Sequence, residues 1–238
     1  MWLISNKTLV KDSGLFENFC DYHSHLLPAV DDGVGEADES FYILEQLELL
    51  GVKTVWLTPH VMEDIPNTTS DLKNRFKSFQ KSYTGQLDLR LGAENMLDSL
   101  FLKRLDACDF LQLGMTGKHL LVETSYYNPP IDMEGMVKRI QEAGYTLVLA
   151  HPERYQYMDM RLYGNWKKNG VLFQLNVPSL VGAYGIEAQK KAEGLLDKGM
   201  YDCCGTDTHS ARHMDYMLHC KISKKAVKAV KQIAGMPI

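Results

Sequence analysis

Seven short apolar runs in this chain each end in a polar residue of the kind that binds metal ions or hydrogen-bonds to ligands. The runs are FCDYHSH, TVWLTPH, LDLRLGAE, HLLVE, TLVLAH, VLFQLN and MYDCCGTDTH. The first six runs end at His25, His60, Glu94, Glu123, His151 and Asn176, and the last contains Asp207 and ends at His209. Successive positions, counted to Asp207, are 25 to 35 residues apart. Each interval matches one strand-and-helix unit of about 30 residues. The spacing predicts that parallel strands gather these side chains at one end of a barrel, where active sites of such barrels lie.

Segments with a helical period of apolar residues lie between these runs. Helices are predicted over residues 36–50, 71–83, 132–143, 186–198 and 223–234. Gly51, Gly144 and Gly199 supply stop signals after three of them. The alternation of strand and helix predicts an α/β fold. Because seven strands are counted, one fewer than the usual eight, we expect a distorted seven-stranded (β/α)7 TIM-like barrel that forms one domain over residues 1–238.

Bulk composition excludes several classes of partner. The net charge of −4 and the absence of a basic block argue against nucleic acid as the main partner. No apolar stretch approaches the roughly 18–20 residues that span a bilayer, and the first residues are too polar for a secretory signal. We therefore expect a cytoplasmic protein with no membrane insertion. Five cysteines without framework spacing are expected to be reduced thiols, and none has the arginine spacing of a cysteine-nucleophile phosphatase.

The candidate metal ligands combine imidazoles with carboxylates. His23 and His25 are two residues apart on a predicted strand, so both point to one face, and Asp207 and His209 repeat that step. The full set is His23, His25, Asp32, His60, Glu94, Glu123, His151, Asp207 and His209. Nine ligands exceed the needs of one ion, so two or three ions are implied. Mixed imidazole and carboxylate ligands without thiolate favour manganese, iron or zinc.

Two arginines point to phosphate as the group that the ions would act on. Arg154 follows His151 by three residues, and Arg212 follows His209 by three. Guanidinium groups bind phosphate oxygens in a bidentate manner, and clustered cations activate water and stabilise a phosphoryl group. Two loops, 26–38 and 61–70, are expected to line the pocket and to determine which substrate binds. The remaining histidines are predicted to be structural or surface residues: His119, His213 and His219.

The segments DYHSHLLPAVDDG, TPHVMED, LGAEN, LLVETS, LAHPERY, QLNVPSL and GTDTH resemble, in order, the polymerase and histidinol phosphatase (PHP) superfamily. More narrowly, the chain resembles the bacterial manganese-dependent protein-tyrosine phosphatases of capsular and exopolysaccharide export. The resemblance implies three ions with separate ligand sets. These sets are His23, His25, Glu94 and Asp207; Glu94, Glu123 and His151; and Asp32, His60 and His209. It also implies catalytic roles for Arg154, Arg212 and His209. Asn95 departs from the aromatic residue expected after Glu94.

By this resemblance, the expected function is hydrolysis of phosphotyrosine by attack of a metal-bound hydroxide at a trinuclear manganese site, with iron or zinc as possible replacements. The expected partner is the tail of a bacterial tyrosine kinase of polysaccharide assembly, and a homo-oligomer is possible. Alternatives are a PHP-type phosphatase for a small phosphate such as histidinol phosphate, and a metal-stabilised binding protein without activity. An amidohydrolase is disfavoured, because Glu94 and Glu123 stand where its bridging lysine would lie.

Overall fold

The computed structural model of the chain describes residues 6–115, 117–235 and 237–238. Within these ranges there are eleven β-strands and eight α-helices. The strands are β1 Lys7–Leu9, β2 Cys20–Ser24, β3 Thr54–Leu57, β4 His60–Val61, β5 Asp88–Leu91, β6 Glu94–Met96, β7 His119–Glu123, β8 Thr146–Ala150, β9 Leu172–Asn176, β10 Cys203–Gly205 and β11 Lys221–Ser223. The helices are α1 Ala37–Leu49, α2 Thr69–Ser82, α3 Ser99–Ala107, α4 Met133–Glu142, α5 Met160–Lys168, α6 Ile186–Asp197, α7 Ala211–His219 and α8 Lys224–Ile233.

Most strands belong to two parallel sheets. One has six strands in the order β10-β9-β8-β7-β6-β4, and the other has three in the order β2-β3-β5. Helices connect successive parallel strands, as strand–helix alternation predicts. A separate antiparallel pair joins β1 near the start of the chain to β11 near its end. The parallel strands are buried on both faces, which explains why they read as continuous apolar runs in the sequence.

The second and third predicted strands are each interrupted in the middle. Residues 58–59 separate β3 from β4, and residues 92–93 separate β5 from β6. Pro59 has no N–H to donate to a ladder, so regular pairing stops there. At these breaks the chain passes from the three-stranded sheet to the six-stranded sheet. As a result, His60 and Glu94 are direct register partners at the first positions of β4 and β6.

The first and last of the parallel strands, β2 and β10, continue into segments that lie side by side. The N–H of Asp207 donates to the carbonyl of His23 at 2.7 Å, and the N–H of His25 donates to the carbonyl of Thr208 at 3.0 Å. The structure confirms an α/β fold with a curled parallel half-barrel. It does not confirm a closed seven-stranded barrel, because the described parallel strands are divided between sheets of six and three.

Five predicted helices are confirmed with small differences at their ends: α1, α2, α4, α6 and α8. Gly51, Gly144 and Gly199 follow three of them with φ of 97°, 81° and 63°, a left-handed conformation that glycine adopts without steric cost. The sequence analysis does not predict α3, α5 and α7, which are nine residues long each. The side-chain oxygens of Asp98 and Ser210 cap the first turns of α3 and α7. Such capping residues mark the start of short helices whose apolar stripe is too short to be recognised by its period.

Alternation along the strands separates two buried layers. Leu120 and Val122 of β7 face the larger core beneath the helices, whereas Leu121 packs inside the curl with Tyr22 and Trp56. The inner layer fills one end of the curl. Because side chains alternate along a strand, Glu123, two residues after Leu121, lies on the same face nearer the carboxyl end of β7. None of the helices in the described part of the chain combines the length and apolar character needed to cross a bilayer. All five cysteines are free.

Candidate metal centre

The nine candidate ligands converge at the carboxyl end of the inner strands. They form four overlapping groups, and within each group the ligand atoms lie within 4.8 Å of one another. The groups are His25, Asp32, His60 and His209; His23, His25 and Asp207; His23, Glu94 and His151; and His60, Glu94 and Glu123. Together they contain every predicted ligand. Oε1 of Glu123 lies 3.1 Å from Nδ1 of His60, and its Oε2 lies 4.0 Å from Nε2 of His151. The division of ligands among individual ions therefore stays a prediction.

Glu94 lies at the centre of the cluster and is 1% exposed. Its Oε2 lies 3.1 Å from Nε2 of His23, 3.3 Å from Nε2 of His25 and 3.2 Å from Nδ1 of His60. Its Oε1 lies 2.9 Å from Nε2 of His151. Burial alone would raise the pKa of Glu94, but the imidazoles of His23 and His60 hold this pKa well below its ordinary value. The two oxygens of an ionised carboxylate therefore face different groups of ligands, as a bridging ligand requires.

Asp207 also presents its two oxygens to different surroundings. Oδ1 lies 3.5 Å from Nε2 of His23 and 3.4 Å from Nε2 of His25. Oδ2 accepts hydrogen bonds from Nη1 of Arg154 at 2.9 Å and from Nδ2 of Asn176 at 2.8 Å. Burial opposes ionisation, yet the neighbouring His23 and His25 hold the pKa of Asp207 well below its usual range. One carboxylate thus connects the imidazole cluster to a guanidinium group.

Unusual backbone conformations aim two of the ligands into the cluster. His151 and Asp207 have φ of 33° and 51°, in the left-handed region that non-glycine residues seldom adopt. Such strain persists only where the surrounding structure fixes it, and it is common at functional sites. Close approach of β10 to β2 adds a second constraint: a Cβ on Gly205 would lie 2.5 Å from Cβ of His23 and 2.8 Å from its N. Position 205 therefore requires glycine.

Two residues outside the predicted set fix the orientation of the paired imidazoles. Nδ1 of His23 donates to Oε1 of Gln174 at 2.9 Å, and Nδ1 of His25 donates to Oδ2 of Asp31 at 2.9 Å. Asp31 also accepts from the N–H of His60 at 3.0 Å. Burial would raise the pKa of Asp31, but its bond to His25 lowers it to about 2. Both Nε2 atoms are thereby left facing the cluster, which is how partners of metal-binding histidines act.

Two neighbouring buried atoms among the candidate ligands lack a hydrogen-bond partner in the described part of the chain, as expected where a metal ion would bind. Nδ1 of His60 and Oε1 of Glu123 are buried and only 3.1 Å apart. Neither makes a hydrogen bond. A buried polar atom without a partner costs on the order of 1–3 kcal/mol. A divalent cation between these atoms and Glu94 would satisfy both, so the residues fit a bound metal ion.

A cavity of about 330 Å³ opens directly above these ligands. Six of the predicted ligands line it, together with four other residues: Tyr126, Arg154, Tyr184 and His213. Burial opposes the charge of Arg154, but Asp207 raises its pKa, so its guanidinium is a permanent cation. His213, treated in the sequence analysis as structural or at the surface, instead lies on the cavity wall. The cavity therefore combines candidate metal ligands with a permanent cation.

Other predicted residues lie around the rim or outside the cavity. Asp32 is 67% exposed, with Oδ1 3.4 Å from Nε2 of His60. Burial and the neighbouring His25 lower the pKa of His209 to about 4, which leaves it a neutral imidazole suited to binding a metal. Arg212 is exposed in the first turn of α7 and is not part of the cavity lining. Its predicted catalytic role stays a prediction.

The two loops predicted to wall the pocket differ in what they contribute. Loop 26–38 supplies Asp32 to the cavity lining, whereas no described residue of loop 61–70 lines it. Asn67 joins the loops, because its side-chain amide donates to the carbonyls of Val30 at 2.8 Å and His60 at 2.9 Å. Loop 61–70 therefore supports the first loop and the backbone of a ligand.

Fold and site together define an α/β protein whose parallel strands carry a candidate multinuclear metal centre beside an arginine-lined anion pocket. Comparison with known proteins is more specific. The family model described as capsular polysaccharide synthesis, CpsB/CapC, matches residues 19–234. The chain belongs to this family.

Individual relatives have low sequence identity to this chain but match most of its length. CapC of Staphylococcus aureus is 24% identical over 88% of this chain and 84% of its own length. The tyrosine-protein phosphatase YwqE of Bacillus subtilis is 24% identical over 82% of this chain and 79% of its own length. A crystal structure from work on YwqE and on CpsB of Streptococcus pneumoniae, described as metal-dependent tyrosine phosphatases, matches with a TM-score of 0.75 and 22% identity. It covers 91% of this chain and 88% of that chain, which shows that the fold is shared.

Proposed function

We propose that this protein is a metal-dependent phosphomonoesterase that hydrolyses phosphotyrosine in proteins. The observation that carries the proposal is the position of Arg154, whose guanidinium lines the same cavity as six candidate metal ligands and is bound to one of them, Asp207. A cation fixed beside a metal-binding cluster suits a phosphate dianion better than a neutral amide. The names of relatives such as YwqE support phosphotyrosine as the substrate class.

The metal proposed is manganese, as two or three ions, with iron or zinc as alternatives. Imidazole and carboxylate donors without thiolate suit all three metals. The residues that would hold the ions are the nine of the cluster: His23, His25, Asp32, His60, Glu94, Glu123, His151, Asp207 and His209. When bound, such ions supply the positive charge that activates water near neutral pH and stabilises the oxygens of a phosphoryl group.

The chain's own residues prepare the site for an anionic substrate. Arg154 would bind phosphate oxygens, because its charge is permanent and its N–H groups lie at the cavity wall. Asp31 and Gln174 hold His25 and His23 in fixed orientations, so the ligands need little rearrangement. The leaving group would be a tyrosinate, whose conjugate acid has a pKa of about 10. A leaving group of this acidity needs little help from a general acid.

The wider assignment is also a proposal. We infer that residues 1–238 form one catalytic domain and that the protein acts in the cytoplasm. The partner proposed is the phosphotyrosine-bearing tail of a bacterial tyrosine kinase that controls polysaccharide assembly. Membership of the capsular polysaccharide synthesis family supports this context. Assembly into a homo-oligomer and catalytic roles for His209 and Arg212 belong to the same proposal.

The test is turnover of a phosphotyrosyl peptide and of histidinol phosphate by the purified, metal-loaded protein. We expect manganese to support hydrolysis of the peptide, a chelator to abolish it, and the specificity constant for the peptide to exceed that for histidinol phosphate. A higher constant for histidinol phosphate would favour the small-phosphate alternative. Tight manganese binding without turnover of either compound, or of p-nitrophenyl phosphate, would favour the non-catalytic alternative and refute the proposal.

A further inference from the structure

The guanidinium of Arg154 lies against two tyrosine rings. Its Cζ lies 4.4 Å from the ring centroid of Tyr126 and 4.1 Å from that of Tyr184. We propose that Tyr126 and Tyr184 form a clamp that positions Arg154 for the phosphate group of the substrate. The inference rests on the proposed function and extends it to two residues that are neither metal ligands nor predicted from the sequence.

The clamp restricts how Arg154 can bind an anion. A guanidinium group carries five N–H donors in one plane, and its two faces attract aromatic rings. Here two rings lie close to the guanidinium, and Nη1 is already bound to Oδ2 of Asp207. The donors left for a substrate are therefore those in the plane of the group and directed away from Asp207. Phosphate oxygens would be bound edge-on, in a geometry set before the substrate arrives.

The ring of Tyr126 is supported from behind by other aromatic residues. It stacks on Tyr155, with centroids 5.9 Å apart and an angle of 24° between the planes. Tyr155 is fully buried and stacks in turn on Tyr157 at 5.7 Å. The hydroxyl of Tyr157 lies 2.6 Å from Oγ1 of Thr124. These stacking contacts restrict the movement of the Tyr126 ring.

The ring of Tyr184 has its own neighbours. It meets the ring of His213 edge-on, with centroids 6.2 Å apart and an angle of 84°. Its hydroxyl lies 3.3 Å from Nε2 of His213 and 3.5 Å from Oδ2 of Asp207. Tyr184 therefore contacts both the guanidinium and the carboxylate that binds it. This contact explains why His213 lies at the cavity: it supports the clamp from the rim.

The energetic value of such a clamp lies in orientation. Cation–π contacts attract a guanidinium to aromatic rings, and more strongly where water is excluded. Misplacement of a binding group by 1 Å can lower a rate about 100-fold. Without the two rings, Arg154 would still place its charge in the cavity, but its side chain would adopt many orientations and its N–H donors would point in different directions. Tyr126 and Tyr184 are thus positioning residues that act through Arg154.

The first experiment measures the clamp without turnover and without metal. Phenylglyoxal modifies accessible arginines, and peptide mass spectrometry gives the rate at each one. Arg154 should react slowly, and exposed Arg212 serves as an internal reference. Tyr184→Leu and Tyr126→Leu should each raise the rate at Arg154 on the order of tenfold, as the removal of an adjacent ring predicts. Phenylalanine at either position keeps a ring and should restore slow modification. Equal rates at Arg154 in the leucine and phenylalanine variants would overturn the proposal.

The second experiment is a double-mutant cycle on hydrolysis of p-nitrophenyl phosphate with manganese. Tyr184→Leu should lower kcat/KM on the order of tenfold and weaken inhibition by inorganic phosphate, with unchanged manganese content. In an Arg154→Ala background the same substitution should have little further effect, because its effect passes through Arg154. An equal loss in both backgrounds would contradict the clamp. Faster modification of Arg154 in leucine variants of a protein that hydrolyses no phosphomonoester would support the clamp and refute the proposed function.

Discussion

Arg154 and Asp207 form an ion pair in which Nη1 lies 2.9 Å from Oδ2, while the other oxygen of the same carboxylate faces His23 and His25. The anion pocket and the candidate metal cluster therefore share one side chain. Because this ion pair is short and its aspartate is buried, a shift of Arg154 would move Asp207, and a shift of Asp207 would move Arg154. This arrangement makes the position of the guanidinium as important as its charge.

Replacing Arg154 by lysine tests this point. Lysine keeps the positive charge but is a point donor that cannot lie flat against two rings or bind in a bidentate manner. We expect kcat/KM for a phosphotyrosyl peptide to fall on the order of 100-fold while manganese content is unchanged. Exposed Arg161 on α5 offers the matched control, and Arg161→Lys should behave as the parent protein. Loss of manganese together with activity in Arg154→Lys would show that the arginine mainly stabilises the ligand Asp207.

Glu94→Gln should disrupt the cluster at its centre. The substitution keeps the shape of the side chain but removes the charge that lies within 3.3 Å of four imidazoles. Removal of one partner from a buried set of charges is costly, on the order of 3–5 kcal/mol. We expect fewer bound ions in elemental analysis and loss of most activity. Glu142→Gln, in an exposed pair with Lys138, is the control. Retention of full metal content and activity in Glu94→Gln would contradict a bridging role.

Asp31→Asn probes a residue that supports a ligand without being one. The amide of this variant could still meet His25, but it would not supply the ionised acceptor that now fixes Nδ1 of that imidazole. Loss of such a partner typically costs about 10–100-fold in metal affinity. Competition with a chelator of known affinity measures the change. Asp64→Asn, at an exposed position of the neighbouring loop, should leave the affinity as it was. Equal affinities for the two variants would show that Asp31 is dispensable.

Most ligands could be recognised from sequence because they lie in or directly after a strand whose apolar pattern is local; Asp32, in loop 26–38, is the exception. Glu94 and Glu123 each have the correct phase on a strand, and the regular interval between them indicates a shared edge. The division of the sheets was not predictable in the same way. It depends on interruptions of the strands at residues 58–59 and 92–93. The apolar pattern runs through both positions and therefore does not indicate where the strands break.

Supporting residues were missed for a different reason. Gln174 and Asp31 act on His23 and His25, from which they are separated by 151 and 6 residues, and no local pattern marks them. Asn176 ends a predicted strand, yet only the structure shows that it donates to Asp207. Tertiary contacts of this kind arise once the strands are side by side. Sequence reasoning therefore finds ligands more readily than the residues that orient them.

Gly205→Ala should damage the centre through packing alone. The added methyl group would overlap Cβ and N of His23, both of which are backbone-anchored and unable to move aside. We expect a lower melting temperature and a loss of metal affinity on the order of tenfold or more, since β10 must separate from β2. Gly194→Ala in α6, where an added Cβ meets no neighbour, should keep or increase stability. A metal affinity for Gly205→Ala equal to that of the parent would refute the close-approach argument.

The pH dependence of stability should differ between the metal-free and the metal-bound protein. In the metal-free protein, burial opposes a charge on His23, but Glu94 and Asp207 outweigh it and raise the pKa of His23 to about 9 from 6.5. A group whose pKa is raised by folding stabilises the folded state fully below its unfolded pKa. That contribution is lost as the pH rises from about 6.5 through about 9. Bound metal requires the neutral imidazole, so protons compete with the ion over the same window.

We therefore expect the melting temperature in the presence of chelator to fall as the pH rises from 6.5 to 9. The increase in melting temperature produced by manganese should grow over that interval, because fewer protons have to be displaced. Calorimetric scans at matched ionic strength, with and without manganese, measure both slopes. His219→Gln, which changes an exposed histidine on α7, should keep both slopes. A melting temperature that rises with pH in chelator would mean that the buried carboxylates do not hold a proton on His23, and the electrostatic description of the metal-free cluster would have to be abandoned.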